Sequence, residues 1–147
     1  MKSGGRPHRS LNIYTKLMRA SESVTSRVGR KMSDAGLTIS QFGVLEALLH
    51  KGPMCQRDVA AKILKSTGNI TLVIDNLEKQ GLVTRERSLE DRRYYTIVLT
   101  DKGRTLIDSA FAEVEAAIIY EMSALTEDEQ EVLGQLCKKL GLREGGG

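Results

Sequence analysis

The residues best placed to do chemistry in this chain are hydrogen-bonding and cationic rather than nucleophilic. Residues 66–71 read Ser-Thr-Gly-Asn-Ile-Thr, and a second cluster further on reads Glu-Asp-Arg-Arg at positions 90–93. Short side chains with donors and acceptors at the first turn of a helix match the edges of bases in a DNA major groove. Arginine in a loop matches the concentrated negative potential of a narrow minor groove. The ingredients of catalysis do not assemble. His8 and His50 are the only two histidines, and no Gly-rich phosphate loop or nucleophile–base pair occurs. Two cysteines, Cys55 and Cys137, form neither a metal-ligand spacing nor a disulfide framework. No cofactor and no metal is expected, and the implied chemistry is recognition of a polyanion rather than bond making.

Those two clusters need a helix and a hairpin to position them. Ile70, Val73, Ile74 and Leu77 recur at helical spacing as one apolar stripe. Ser66 suits the helix cap and Gly81 its stop. Residues 82–86 and 94–99 are rich in β-branched and aromatic types and read as two strands, with residues 87–93 as the loop between them. Helix, strand, basic loop, strand is the layout of a winged helix-turn-helix. A hairpin of this length requires something to pack on. Upstream, Thr38-Ile39-Ser40-Gln41 is a capping box, followed by Phe42, Leu45, Leu48 and Leu49 on one helical face. Gly52-Pro53 ends that helix. Cys55 opens a short helix carrying Val59, Ala60 and Ile63.

Longer helices flank the lobe. Leu11, Tyr14, Leu17, Met18, Val24 and Val28 are spaced for a helix from Leu11 to about Ser33, which Gly36 breaks. Thr100 caps a helix running to about Met122, and Thr126 with Glu129 forms a second capping box before a last helix. The expected fold is mainly α with a small β-hairpin wing. Residues 1–9 read as a flexible basic arm, 10–36 and 101–142 as dimerisation helices, 37–100 as the DNA-binding lobe and 143–147 as a flexible tail. The apolar stripes of the terminal helices exceed what a small winged lobe can cover, so a homodimer is expected.

Charge agrees with this division. Residues 1–50 carry eight basic and three acidic residues, 51–104 eleven and seven, and 105–147 three and nine. The net +3 is thus split into a basic reading half and an acidic C-terminal third, which suggests a polyanion facing one half only. At 147 residues, 28 % charged and 4 % aromatic, the chain suits one domain with a Leu, Ile, Val and Ala core. No run is apolar enough to span a membrane, and a cytoplasmic location is expected.

Within the reading head, Ser66, Thr67, Asn69 and Thr71 are expected to reach bases, and Gly68 lets backbone approach the DNA. Leu72 has two readings, a thymine-methyl contact or packing within the lobe. Arg92 and Arg93 sit on the wing, while Lys62, Lys65, Arg85 and Arg87 are expected phosphate contacts, which give affinity without sequence information. Cys55 also has two readings. At a helix N-terminus its thiolate is stabilised by the end dipole, which makes it a redox candidate; alternatively it is a small half-buried residue.

The order of elements resembles the MarR family of bacterial transcriptional regulators over roughly 11–142. The most specific stretch is E-D-R-R-Y-Y-T-I-V-L-T-D-K-G, residues 90–103, similar to that family's wing signature of Asp-x-Arg, a strand and L-T-x-x-G. The second is I-T-L-V-I-D-N-L-E-K-Q-G-L-V, residues 70–83, which resembles the family's recognition helix and exit. Leu72 and Asn76 depart from the pattern, since many members carry Arg there. The resemblance implies a homodimer bound to consecutive grooves of a pseudo-palindromic operator, acting as a repressor released by a small ligand or an oxidant. It implies a brace between Asp75 and Arg93 that fixes the wing, leaving Arg92 as the groove reader. It also implies a ligand pocket between the dimerisation helices and the lobe, lined by Tyr14, Met18, Phe42, His50 and Phe111. The S-T-G-N-I-T entrance is similar to members that respond to quinones or phenolic compounds. The competing readings are a thiol sensor acting through Cys55 and a winged-helix protein adaptor without DNA.

Overall fold

A computed structural model describes residues 6–63 and 67–143. The elements run α1 (Arg6–Asp34), α2 (Ile39–Lys51), β1 (Met54–Cys55), α3 (Gln56–Lys62), α4 (Thr67–Lys79), β2 (Val83–Arg87), β3 (Tyr95–Leu99), α5 (Asp101–Met122) and α6 (Glu127–Leu142). The chain is mostly helical with one small antiparallel sheet, as the sequence patterns require.

Both capping boxes form as the sequence dictates. Thr38 Oγ1 accepts from the Gln41 amide while Gln41 Oε1 accepts from the Thr38 amide, and Thr126 and Glu129 do the same before α6. Each box satisfies two orphan donors at a helix start. The stripe of α4 is buried as expected. Ile70, Ile74 and Leu77 are fully buried and join Val44, Leu45, Leu48, Val59, Ile97 and Ile107 in one core, with Val73 packed partly buried at its edge. This helix packs on α2, α3 and β2.

Three details differ from the expectation. First, α1 begins at Arg6, so residues 6–9 belong to a helix and not to the basic arm. Helical spacing alone could not extend the helix there, because these residues are polar and carry no stripe. Second, the sheet has three strands in the order β1-β3-β2. Met54 pairs with Ile97 and Cys55 with Thr96, so the two residues before α3 supply the support that the hairpin needs. Third, the hairpin pairs Val83 with Leu99 and Arg87 with Tyr95, so Arg87 lies in the ladder and the loop is 88–94.

Between wing and α5 lies a close approach that explains the L-T-D-K-G stretch. Thr100 caps α5, accepting from the Gly103 amide at 3.0 Å while donating to Gly81 O at 2.6 Å. The Thr100 amide donates to Leu82 O at 3.1 Å, and Lys102 Nζ to Gln80 O at 3.0 Å. A Cβ at position 103 would stand 2.0 Å from Leu82 O, so only glycine fits. The first turn of α5 is thereby clamped to the backbone that leaves α4.

Apolar side chains remain uncovered on the terminal helices. Leu11, Ile13, Tyr14 and Met18 of α1, Ile118, Ile119 and Tyr120 of α5, and Val132, Leu133, Leu136 and Leu140 of α6 are all exposed. No residue of α6 is buried. Among the described residues no helix is long and apolar enough to cross a membrane.

Candidate nucleic-acid interface

With Ile70, Ile74 and Leu77 turned into the core, helical geometry fixes what α4 presents outward. Asn69, Leu72 and Asn76 lie at i, i+3 and i+7 and are all exposed. Leu72 is 63 % exposed, which excludes packing within the lobe as its role in this chain. Thr71 is exposed and accepts a hydrogen bond from Gln56 Nε2 at 2.7 Å. Gln56 opens α3, so the first helix of the helix-turn-helix touches the reader directly. Thr67 and Gly68 open α4, but the Thr67 side chain, Lys65 and Ser66 lie outside the described residues. Lys62 is exposed at the end of α3.

The wing brace expected between Asp75 and Arg93 does not form; both residues have other partners. Asp75 Oδ1 meets Arg85 at 2.6 Å, and the same guanidinium meets Glu78 Oε1 at 2.9 Å. The Arg85 amide also donates to Glu78, and its Nη2 approaches Thr71 O at 3.4 Å. Asp75 and Glu78 are one turn apart on the same face, and β2 runs back past them from the α4 exit. A strand residue two places into β2 is therefore nearer than one across the loop. With an 18 % exposed side chain bound to two carboxylates, Arg85 braces β2 against α4.

Arg93 instead closes the wing loop on itself. Its guanidinium meets Asp91 at 2.7 Å and 3.0 Å, and its amide donates to Asp91 Oδ1 at 3.1 Å. The Asp91 carboxyl is held below its usual range, chiefly by the Arg93 side-chain hydrogen bond, and the Arg93 guanidinium is raised by the same contact. Two residues of separation make this closure cheap in chain entropy. Tyr94 lies between Arg93 at 5.7 Å and Arg57 of α3 at 5.3 Å from its ring centroid. Arg87 stacks on Tyr95 at 4.9 Å from its ring centroid, and it donates to the Tyr95 hydroxyl at 2.8 Å and to the Arg92 carbonyl. The Arg92 side chain is exposed on the same loop. The wing thus presents Arg92 outward while its neighbours hold it in shape.

Sequence reasoning gave no part to Gln56, Arg57, Glu78 or Tyr94. The i, i+3 spacing of Asp75 and Glu78, ahead of an arginine in the returning strand, was a readable signal for the brace. The contacts of Gln56 and Arg57 join elements whose approach no local pattern encodes.

Among the described residues, the expected ligand lining is spread over α1, α2 and α5. His50 and Phe111 meet edge to face with centroids 4.7 Å apart where α2 crosses α5, and His50 Nδ1 lies 3.2 Å from Glu46. Phe42 is buried in the core that Phe111 borders. Tyr14 and Met18 stand exposed on the first half of α1. A groove of about 370 Å³ is lined instead by Glu22, Ser26, Gly29, Arg30, Leu37 and Ile39, among others, and contains none of the five. Cys55 sits at the N-cap of α3 without a side-chain cap bond, half-buried beside the wing strand. Cys137 is exposed on α6.

Comparison with known proteins matches this geometry to one group. The sequence model of the MarR family matches residues 37–95, which span α2, the helix-turn-helix, β2 and the wing loop. The chain is 35% identical over 134 residues to the HTH-type transcriptional regulator MhqR of Bacillus subtilis, covering 91% of this chain and 92% of that one. It superposes on Bordetella bronchiseptica BpsR, whose DNA binding is regulated by 6-hydroxynicotinic acid, with a TM-score of 0.79, 25% identity and coverage of 88% and 98%. It superposes on NadR in complex with 4-hydroxyphenylacetate with a TM-score of 0.73, 25% identity and coverage of 95% and 97%. Brace, wing and clamp are therefore parts of a DNA-binding regulator and not of an enzyme: the chain belongs to the MarR family of transcriptional regulators.

Proposed function

We propose that this chain is a homodimeric repressor of a pseudo-palindromic operator, released when a small phenolic ligand changes the spacing of its two reading heads. The observation that carries the dimer is α6, which buries no residue although Val132, Leu133, Leu136 and Leu140 form a stripe along it. Together with the exposed apolar residues of α1 and α5, this stripe supports a two-fold interface built from the terminal helices. Two lobes then meet half-sites about one helical turn apart, roughly 34 Å. Asn69, Thr71, Leu72 and Asn76 face the major groove, Arg92 faces the minor groove, and Lys62 and Arg87 lie toward phosphates.

The clamp at Thr100, Lys102 and Gly103 supports a mechanical route for release. Because α5 grips the exit of α4, a shift of α5 carries the reading helix with it. A phenol inserted where His50 and Phe111 meet presses on α2 and α5 together. The aromatic ligands of BpsR and NadR support this chemistry. Release needs differential affinity, since a ligand that binds both spacings equally shifts nothing. The test is operator binding with and without 4-hydroxyphenylacetate, a quinone and peroxide, for wild type, Phe111→Ala and Cys55→Ser. Loss of phenol release in Phe111→Ala, with Cys55→Ser unaffected, is the expected pattern. Release by every compound that vanishes only with Cys55 would show a thiol sensor instead.

A further inference from the structure

From the outward face of α4 we infer the base class of the operator core: each half-site is read as adenine–thymine pairs, Leu72 packing on a thymine methyl and Asn76 pairing with an adenine edge. The inference rests on the operator-binding reading above and adds to it the identity of the bases.

Three observations lead there. Between Thr67 and Glu78 α4 carries no arginine or lysine, its cation Lys79 standing in the last turn, so the part of the helix that meets the bases has no bidentate donor for guanine O6 and N7. Its acidic side chains are engaged elsewhere, Asp75 and Glu78 both being held by Arg85, so cytosine amino groups lack a ready acceptor. What remains on the outward face, beside Asn69 and Thr71 of the first turns, is Leu72, 63 % exposed, with Asn76 exposed one turn further on. Residues i and i+4 of a helix share a face, so the two side chains address neighbouring bases. An isobutyl group offers the major groove only apolar surface, and the one apolar feature on any base edge there is the thymine C5-methyl. A carboxamide matches the N6 donor and N7 acceptor of adenine. An exposed leucine is ordinary on a protein surface. This one stands at the centre of the reading helix and between polar neighbours, where the lobe packing that would otherwise explain it is absent.

Gln56 adds a positional constraint. Its hydrogen bond to Thr71 Oγ1 ties the start of α3 to the residue beside Leu72. The depth of α4 in the groove is thereby set from a second helix, as a methyl contact of short range demands.

The experiment begins with the full chain and a pool of random duplexes. Bound duplexes are selected, and the selected site is then resynthesised with single base replacements. Replacing thymine by uracil removes only the methyl. At a single thymine of one half-site this should weaken wild type about fourfold, the worth of one buried methyl-sized group. The Leu72→Ala variant should be indifferent to that replacement, and Leu72→Met should keep the sensitivity. Replacing one adenine by 7-deazaadenine should weaken wild type about tenfold or more and leave Asn76→Ala unmoved. Asn76→Arg should shift the selected base toward guanine. A half-site core of invariant guanine–cytosine pairs, or uracil and deazaadenine substitutions that wild type ignores, would overturn the inference while leaving operator binding intact. A pool that yields no enriched sequence would overturn operator binding and the inference with it.

Discussion

Arg85 shows how one guanidinium decides what its neighbours can do. It neutralises Asp75 and Glu78, two carboxylates on the helix proposed to read DNA. Arg85→Ala should therefore weaken operator binding more than loss of any single surface cation, by about 1–3 kcal/mol, because two repulsive charges are released at once. Asp75→Ala should cost less, since Glu78 keeps Arg85 in place; if it costs as much, the brace depends on Asp75 alone. Arg92 acts differently, being exposed on the loop that its neighbours hold. Arg92→Ala should lower affinity by about 1–3 kcal/mol, reduce the slope of affinity against salt by about one counterion and relax any preference for A·T-rich flanks. A titration across salt concentrations separates these outcomes, and an unchanged slope would remove Arg92 from the DNA contacts. Gly103→Ala is a stability prediction. With a methyl directed at Leu82 O, backbone must move, costing about 1–3 kcal/mol or more, read as a lowered midpoint in urea.

At the scale of elements, α1 and α5 are pinned by Arg27 and Glu121, which meet at 2.7 Å. The Glu121 carboxyl is held below its ordinary range, mainly by the Arg27 hydrogen bond, and burial opposes this. A carboxyl with a lowered folded-state pKa stabilises the fold above its unfolded value and ceases to do so as pH falls through the folded one. Wild type should therefore be more heat-stable than Glu121→Gln near neutral pH, and the difference should shrink as the buffer is taken below about pH 4. An equal gap at all pH values would mean that the glutamine disturbs packing rather than charge. The wing follows the same logic locally. Asp91 and Arg93 close the loop, Tyr94 leans on Arg57 of α3, and β1 supplies a third strand, so the hairpin is supported on both sides.

For the whole molecule, the exposed stripes on α1, α5 and α6 are the surface that the proposed dimer would cover. An obligate interface of this kind buries roughly 2,000 Å² or more. Sedimentation equilibrium at micromolar concentration should give a dimer. Leu133→Asp combined with Leu136→Asp should give a monomer, or an unfolded chain, with operator affinity lost, because charges placed in that stripe cannot be desolvated. A folded wild-type monomer that binds its operator would refute the two-headed arrangement. Charge distribution at this scale agrees with it: the basic portion carries the reading head and the acidic C-terminal third the proposed interface.

Local order in this protein was written in local sequence. Helical stripes, two capping boxes, the glycine after α4 and the β-branched runs of the wing each report on neighbours within a few residues, and the elements formed where these signals stood, with strand bounds shifted by one residue. The winged helix-turn-helix followed from their order. What tertiary structure decided were the partnerships between elements. Arg85 rather than Arg93 meets Asp75, because β2 returns alongside α4 while the wing loop closes more cheaply on itself. Leu72 is exposed because the three residues of the stripe consume the inward face of α4. The two-residue β1 exists only through its pairing with β3, since so short a strand has no stability or sequence signature of its own. Gly103 is fixed by a carbonyl 21 residues earlier, that of Leu82, a contact that no periodicity announces.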